Sequence, residues 1–249
     1  MLKFIDARCQ LGRRGVVREN EPVTKEDILE LMDRCRIEKA LAYHAIAKEG
    51  DVKAGNMELL KETGDDSRFL RQWVAMPSAF GEFMSVDELL EGMKKHGVRS
   101  IRMFPKTHGY SVKPYALGKL MDAMAEHKIP VFMMYSEIAS EDALYAMLTD
   151  YPTVDFVISD ISYREERKLF PIFEQCKNFH IGTGNYVVHG GVKTMCEYFG
   201  AERMLFDTGL PTGSATAAVS LICYADVSEE EKALIAHGNL ERMLSEVKL

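Results

Sequence analysis

Along this chain, short runs of consecutive apolar residues alternate with segments whose apolar positions return every three or four residues. The first kind reads as strands covered on both faces, as in a parallel sheet, where the inside–outside alternation of a half-exposed strand disappears. Such runs fall at Lys3–Ala7, Lys39–His44, Phe69–Met76, Ser100–Phe104, Pro130–Ser136, Asp155–Asp160, Phe179–Thr183 and Met204–Thr208. The second kind reads as amphipathic helices, several with their own start signals. Thr24 precedes KEDILELMDRC, Ser85 precedes VDELLEGMKKHG with Glu88 three residues on, and Ser228 with Glu231 repeats that spacing. A hydroxyl and a carboxylate so spaced satisfy two otherwise free backbone N–H groups in a capping box. Gly97 stands where a helix end calls for a left-handed residue.

Strand starts recur about every 25–35 residues, the length of one strand–helix unit, so the eight units predict a closed (β/α)8 TIM barrel. An open doubly wound sheet more often has fewer strands and a Gly-rich stretch after the first, and none follows Ala7. No Pro- or Ser-rich linker, low-complexity tract or strong internal repeat interrupts the pattern. One domain over residues 1–249 is expected.

Composition narrows the class. An apolar share of 47% supports a large core, and a formal charge of -7 argues against nucleic acid or an anionic membrane as partner. No apolar run approaches the roughly 20 residues of a membrane span. The start carries no basic-plus-apolar leader, and the five cysteines are an odd, scattered set without a Cys-x-x-Cys pair. Reduced thiols in a cytoplasmic protein are expected. The fifteen methionines are dispersed and read as core filling.

In a barrel, chemistry gathers where strands end at their C-termini. That selects Arg8, Gln10, His44, Arg102, Lys106, His108, Met134, Tyr135, Asp160, Thr183, Asn185, Asp207 and Thr208. His96 and His127 fall at helix ends on the opposite side, where an imidazole meets the negative end of a helix. The stretch FIDARCQLG places a cation, Arg8, and an amide, Gln10, at alternate positions leaving the first strand. Arg102 interrupts the apolar run of GVRSIRMFP. It reads either as a fork gripping a substrate carboxylate or phosphate, or as an arginine packing its stem under the helices. Lys106 and His108 follow it and add positive potential to that loop. Asp160 ends FVISD after a buried strand, where a carboxylate is costly unless paired or used as a base.

Other motifs carry less. DTG at Asp207–Gly209 occurs once, whereas aspartic-protease chemistry needs two carboxylates sharing a proton. GTGN at Gly182–Asn185 lacks the Gly-Lys-Ser/Thr ending of a phosphate loop. HGG at His189–Gly191 has no Gly-x-Ser-x-Gly nucleophile to serve. There is no His-x-His, His-Glu-x-x-His or Cys-x-x-Cys zinc signature.

Five segments, in order, resemble the amidohydrolase superfamily in its branch of amidohydrolase-related hydrolases, lactonases and decarboxylases. FIDARCQLG is similar to that family's Ile-Asp-x-His-x-His-x-Gly, and GNMELLKETGDDSRFLRQWVAMP to the approach to its third strand. GVRSIRMFP resembles Gly-x-Arg-Gly-x-Arg, RMLFDTGLP resembles Arg-x-Leu-Phe-Gly-Ser-Asp-x-Pro, and HGNLERML resembles the terminal Gly-Asn-x-x-Arg-Leu-Leu helix. The resemblance implies the barrel, but every metal position is altered. The first-strand histidines are Arg8 and Gln10. The fifth-strand histidine falls on Met134, or on Tyr135 if the register slips by one. The sixth-strand histidine falls on Asp160, and the catalytic aspartate on Gly209, with Asp207 two residues earlier. No metal or other cofactor is therefore expected, and Arg8 is expected to occupy the metal's place, bonded to Asp160, Asp207 or Asp6.

What the resemblance then implies is a metal-independent hydrolase acting on a small carboxylate-bearing lactone, ester or amide. Arg102, with Lys106 and Tyr135, would hold the anionic substrate. Asp160 or Asp207 would deprotonate water, Arg8 and Gln10 would stabilise the oxyanion, and His44 or His108 would protonate the leaving group. The alternative is a catalytically inactive barrel that binds a small acid. A homo-oligomer is compatible with either.

Overall fold

The computed structural model describes residues 2–249. Among them run nine strand segments: β1 (Phe4–Leu11), β2 (Ile37–His44), β3 (Phe69–Arg71), β4 (Trp73–Val74), β5 (Ile101–Arg102), β6 (Val131–Met134), β7 (Phe156–Ser159), β8 (Phe179–Gly182) and β9 (Met204–Leu205). Every pairing is parallel and follows chain order, β1 to β3 in one sheet and β4 to β9 in the other. β3 and β4 are halves of one strand interrupted at Gln72, whose N–H still donates to the Ala42 carbonyl at 2.8 Å. The remaining edges close on each other. Ala7 N–H donates to Phe206 O and Gln10 N–H to Leu210 O, both at 2.9 Å, and Cys9 bridges Leu210. The result is a (β/α)8 barrel with its helices outside, and each of the eight apolar runs holds one of its strands.

The capping signals work as the sequence pattern requires. Ser85 with Glu88 and Ser228 with Glu231 form capping boxes, and Thr24 forms one with Asp27. Gly97 takes a left-handed φ of 66° after the helix Val86–His96. No helix among the described residues is long and apolar enough to cross a membrane.

Two apolar layers sandwich the strands. Ile5, Ala7, Leu41, Phe132, Val157 and Leu205 fill the interior, and Leu240 and Met243 of the helix Asn239–Ser245 plug it from below. That plug is fixed by a π-helical turn at Leu234–Gly238, just before it, where the Ile235 carbonyl accepts the Phe206 N–H at 2.8 Å. Phe4, Cys9 and Leu11 belong instead to the outer layer beneath the helices.

β1 therefore changes face partway along. Strict alternation would keep Ile5, Ala7, Cys9 and Leu11 on one side, yet the first two lie inside and the last two outside. The register explains it: Asp6 pairs with Ala40 and Cys9 with Ala42, so between those two pairs β1 holds one residue more than β2. This bulge at Ala7–Arg8 flips the parity of the strand and turns Arg8 and Gln10 inward at the mouth.

Candidate active site

Arg8 is buried at the mouth, between two carboxylates. Its Nη2 donates to Asp207 Oδ1 at 3.2 Å, and Nη1 lies 3.8 Å from Asp160 Oδ1. The two acids differ in depth: the Asp207 side chain is fully buried, whereas that of Asp160 is 36% exposed. Asp160 stands one residue past β7 with a left-handed φ of 65°, which turns it off the strand line towards Arg8. Burial lowers the Arg8 pKa, but the carboxylates of Asp207 and Asp160 outweigh it and leave the guanidinium more basic than usual.

Glycines make room for this pair. A side chain on Gly182 would collide with the Asp207 carboxylate and Ser159 Oγ, and one on Gly184 with Asp207 and Arg8 Nη2. At Gly209, with φ of 69°, a Cβ would sit 2.5 Å from Arg8 Nη2. Beneath the pair Asp6 is fully buried, accepting the backbone N–H of Arg8 at 3.0 Å, the N–H of Thr208 at 2.8 Å, and the Thr208 hydroxyl. It thus fixes the loop after β9 to β1. Burial lifts its pKa to about 7, with the nearby Asp207 charge adding to the rise and the three donors opposing it. Its carboxylate touches the Arg8 backbone rather than its guanidinium.

Arg102 is not the open fork that the sequence allows, nor does it pack under the helices. It is completely buried inside the barrel, lying 5.0 Å from the Tyr43 ring centroid and 5.6 Å from that of Phe132. Its Nε donates to Gln72 Oε1 at 2.6 Å and its Nη2 to the Ala7 carbonyl at 3.2 Å, at the bulge itself. Burial pulls its pKa down to about 10. The chain's own groups occupy the fork, so an entering substrate does not meet it as an anchor. Its remaining Nη1 has no partner.

That orphan has company. Arg8 Nε, Gln10 Nε2, Ser159 Oγ and Asp207 Oδ2 are also buried without hydrogen-bond partners, while Gln10 Oε1 accepts from the Tyr43 hydroxyl at 2.8 Å. Buried polar groups are ordinarily satisfied. These atoms belong to the side chains that β1, β5, β7 and the segment after β9 send to the upper barrel.

The structure leaves other expected residues outside this set. Both ring nitrogens of His44 are engaged: Nδ1 accepts the Ile46 N–H at 3.2 Å, capping the short helix Ala45–Glu49, and Nε2 meets Glu62 at 3.1 Å. It is a structural cap rather than a free acid. His108 Nε2 is 3.0 Å from the Lys48 carbonyl, and its ring packs against Phe104 and Tyr110. Lys106 is exposed in the turn after β5. The Tyr135 hydroxyl donates to Glu141 at 2.8 Å and Glu165 at 3.3 Å, towards the helices. Met134, at the end of β6, turns its thioether to the Lys48 ammonium instead. Asn185 is exposed, and Thr183 is buried with its hydroxyl accepting the Asp207 N–H.

Lys48 was not foreseen. Half-buried on the short helix after β2, it places Nζ 4.0 Å from Met134 Sδ and 5.3 Å from the Phe104 ring centroid. The sequence signal was slight: a lysine in HAIAKEGD shortly after a strand end, which strand-end counting passes over.

A metal centre of the kind the resemblance implies does not fit these residues. Zinc and its relatives take imidazole, thiolate or carboxylate donors, and a guanidinium cannot donate an electron pair. The corresponding positions hold Arg8, Gln10, Met134, Asp160 and Gly209, and the permanently charged Arg8 lies against the Asp207 carboxylate. Among the described residues no three His, Cys, Asp or Glu side chains gather to hold a metal ion.

Comparisons with known proteins agree with the architecture. The chain is similar to 5-carboxyvanillate decarboxylase from Sphingomonas paucimobilis, with a TM-score of 0.78, 12% identity, and coverage of 98% of this chain and 99% of that one. It is similar to a Polaromonas sp. JS666 dihydroxybenzoic acid decarboxylase solved with bound manganese and 2-nitroresorcinol (TM-score 0.72, 14% identity, 98% and 97% covered). It is also similar to a Pseudomonas putida protein assigned as a 2-pyrone-4,6-dicarboxylic acid hydrolase (TM-score 0.71, 13% identity, 99% and 98% covered). No curated protein sequence matches the chain. Residues 5–245, nearly the whole length, match the family model described as Amidohydrolase, and the chain belongs to that amidohydrolase family.

Proposed function

We propose that this barrel is a hydrolase that works without a metal on a small carboxylate-bearing lactone, ester or amide. The observation that carries the reading is the set of buried, unpartnered polar atoms around the mouth: donors on Arg8 and Gln10, and an acceptor on Asp207. Such groups cost free energy unless something occupies them, and a preorganised set of donors is what a developing oxyanion requires.

In this reading Asp160, the half-exposed acid beside Arg8, takes a proton from water. The water oxygen bonds to the substrate carbonyl carbon, and the carbonyl oxygen becomes an oxyanion held by N–H groups of Arg8 and Gln10. Collapse of that intermediate breaks the carbon–oxygen or carbon–nitrogen bond of the leaving group. Asp160 returns its proton there, a step that His44 and His108 are too engaged to supply. Asp207 positions Arg8, and Arg102 positions the bulged backbone at Ala7. Each oxyanion donor is worth roughly 10²–10³ in rate. Two fold neighbours named for carboxylic acids, a decarboxylase and a hydrolase, are in keeping with an acidic substrate.

A second reading, a barrel that binds a small acid without turning it over, is favoured by the burial of Arg8 against Asp207, which plugs part of the mouth. Chelator-dialysed protein screened for turnover of small lactones, esters and amides bearing a carboxylate, alongside thermal-shift measurement with the same compounds, separates the two. Turnover that persists in chelator and falls at least 100-fold in Asp160→Asn supports the hydrolase. Stabilisation by the acids with no turnover supports the binder, and turnover only after metal is added overturns the metal-independent reading.

A further inference from the structure

With Arg102 sealed inside the barrel and Lys106 in open solvent, an anionic substrate still needs a cation at the mouth. Arg8 does not meet that need, because Asp207 and Asp160 already compensate its charge. We propose that Lys48 is the anchor for the substrate's carboxylate. This rests on the acidic-substrate reading above.

The geometry singles Lys48 out in three ways. First, among the described residues no carboxylate pairs with its ammonium, whose close neighbours are the Met134 thioether and the face of Phe104. A half-buried ammonium gains from an anionic partner more than an exposed one such as Lys106, where water and salt screen the attraction. Second, its backbone is held from two sides. His44 caps its helix through the Ile46 N–H while gripping Glu62, and His108 bonds the Lys48 carbonyl from the loop after β5. Glu137, whose charge acts on Lys48, is not ion-paired with it and instead accepts the N–H and hydroxyl of Thr107 at 2.9 and 2.7 Å. Third, Lys48 is continuous with the oxyanion donors. Phe104 packs 5.5 Å from Tyr43, whose hydroxyl donates to Gln10. Burial holds the Lys48 pKa below the usual lysine range, with the nearby charges of Glu137 and Glu49 opposing the fall and those of Arg14 and Arg102 adding to it. A carboxylate on Lys48 would give that ammonium a direct partner on the side where Phe104 and Tyr43 lead to Gln10.

The test compares benzoate with its neutral isostere benzamide, by titration calorimetry on the full chain. Wild type is expected to prefer benzoate. Lys48→Met should reduce that preference at least 10-fold with benzamide affinity unchanged, Lys48→Arg should retain it, and Lys106→Met should leave it intact. Thermal melts of each variant establish that it is folded. The proposal is overturned if Lys48→Met leaves the preference unchanged, if Lys106→Met removes it equally, or if wild type shows no preference. Failure of the hydrolase reading looks different: the preference then depends on Lys48 as described, while no ester, lactone or amide is turned over.

Discussion

Arg8 shows how much can rest on one side chain. It is the only cation within ion-pairing distance of Asp207 among the described residues, and Asp207 is completely buried. Truncation would leave that carboxylate desolvated and unpaired, the situation in which breaking a buried pair costs about 3–5 kcal/mol. Arg8→Ala is therefore expected to lower the unfolding free energy by that amount in urea titrations. Cys9→Ala, next door and equally buried but in the outer layer, strands no charge and should cost much less. An Arg8→Ala effect near zero would mean that water reaches Asp207 and that the pair is not a closed one. Arg102 makes the complementary point. A guanidinium at a strand end looks like a ligand fork in sequence, but its depth is set by the strand's position in the barrel. Here Gln72 and the Ala7 carbonyl have filled it.

At the level of elements, the site is shaped by backbone as much as by side chains. The bulge in β1 decides which residues face the mouth, and the glycines at the end of β8 and in the segments after β8 and β9 give Arg8 and Asp207 their space. Gly209 and Gly97 separate that spatial role from backbone conformation, since both take a left-handed φ, 69° and 66°, but only Gly209 faces a neighbour. Alanine at Gly97 has open space and should pay only the left-handed penalty, roughly 1–2 kcal/mol. Alanine at Gly209 must also displace the Arg8 guanidinium, and should cost a further 1–3 kcal/mol or so, as overpacking does. In an Arg8→Ala background that excess should vanish, leaving Gly209→Ala no worse than Gly97→Ala. Thermal or urea unfolding of the four variants measures it, and equal costs in the wild-type background would refute the crowding argument.

For the molecule as a whole, Asp6 ties closure of the barrel to pH. It joins β1 to the segment after β9, and its folded pKa of about 7 lies above the ordinary 3.8 of an aspartate. The folded chain thus keeps its proton where the unfolded chain has lost it. The stability this confers is complete below the unfolded value and is lost as pH rises towards the folded one. At 1.36 kcal/mol per unit, wild type should lose about 2–3 kcal/mol between pH 5 and pH 8 relative to Asp6→Asn, which cannot titrate. Denaturant titrations across that range give the difference directly. A flat difference would show that the three donors hold Asp6 ionised throughout.

The apolar runs and the capping boxes were enough to determine the eight strand–helix units, because burial on both faces and helix initiation are written locally, within a few residues. The exchange of histidines for Arg8 and Asp160, and a carboxylate partner for Arg8, were likewise legible from residue type and order. Other features were decided only when the barrel closed. The parity of β1 depends on one extra residue against β2, and that is a property of a pair of strands. The depth of Asp207 below Asp160, the sealing of Arg102 and the aim of Lys48 at Met134 depend on contacts between segments distant in sequence. Local pattern carries no record of such contacts, because a side chain's surroundings in a barrel are supplied by strands it meets only after folding.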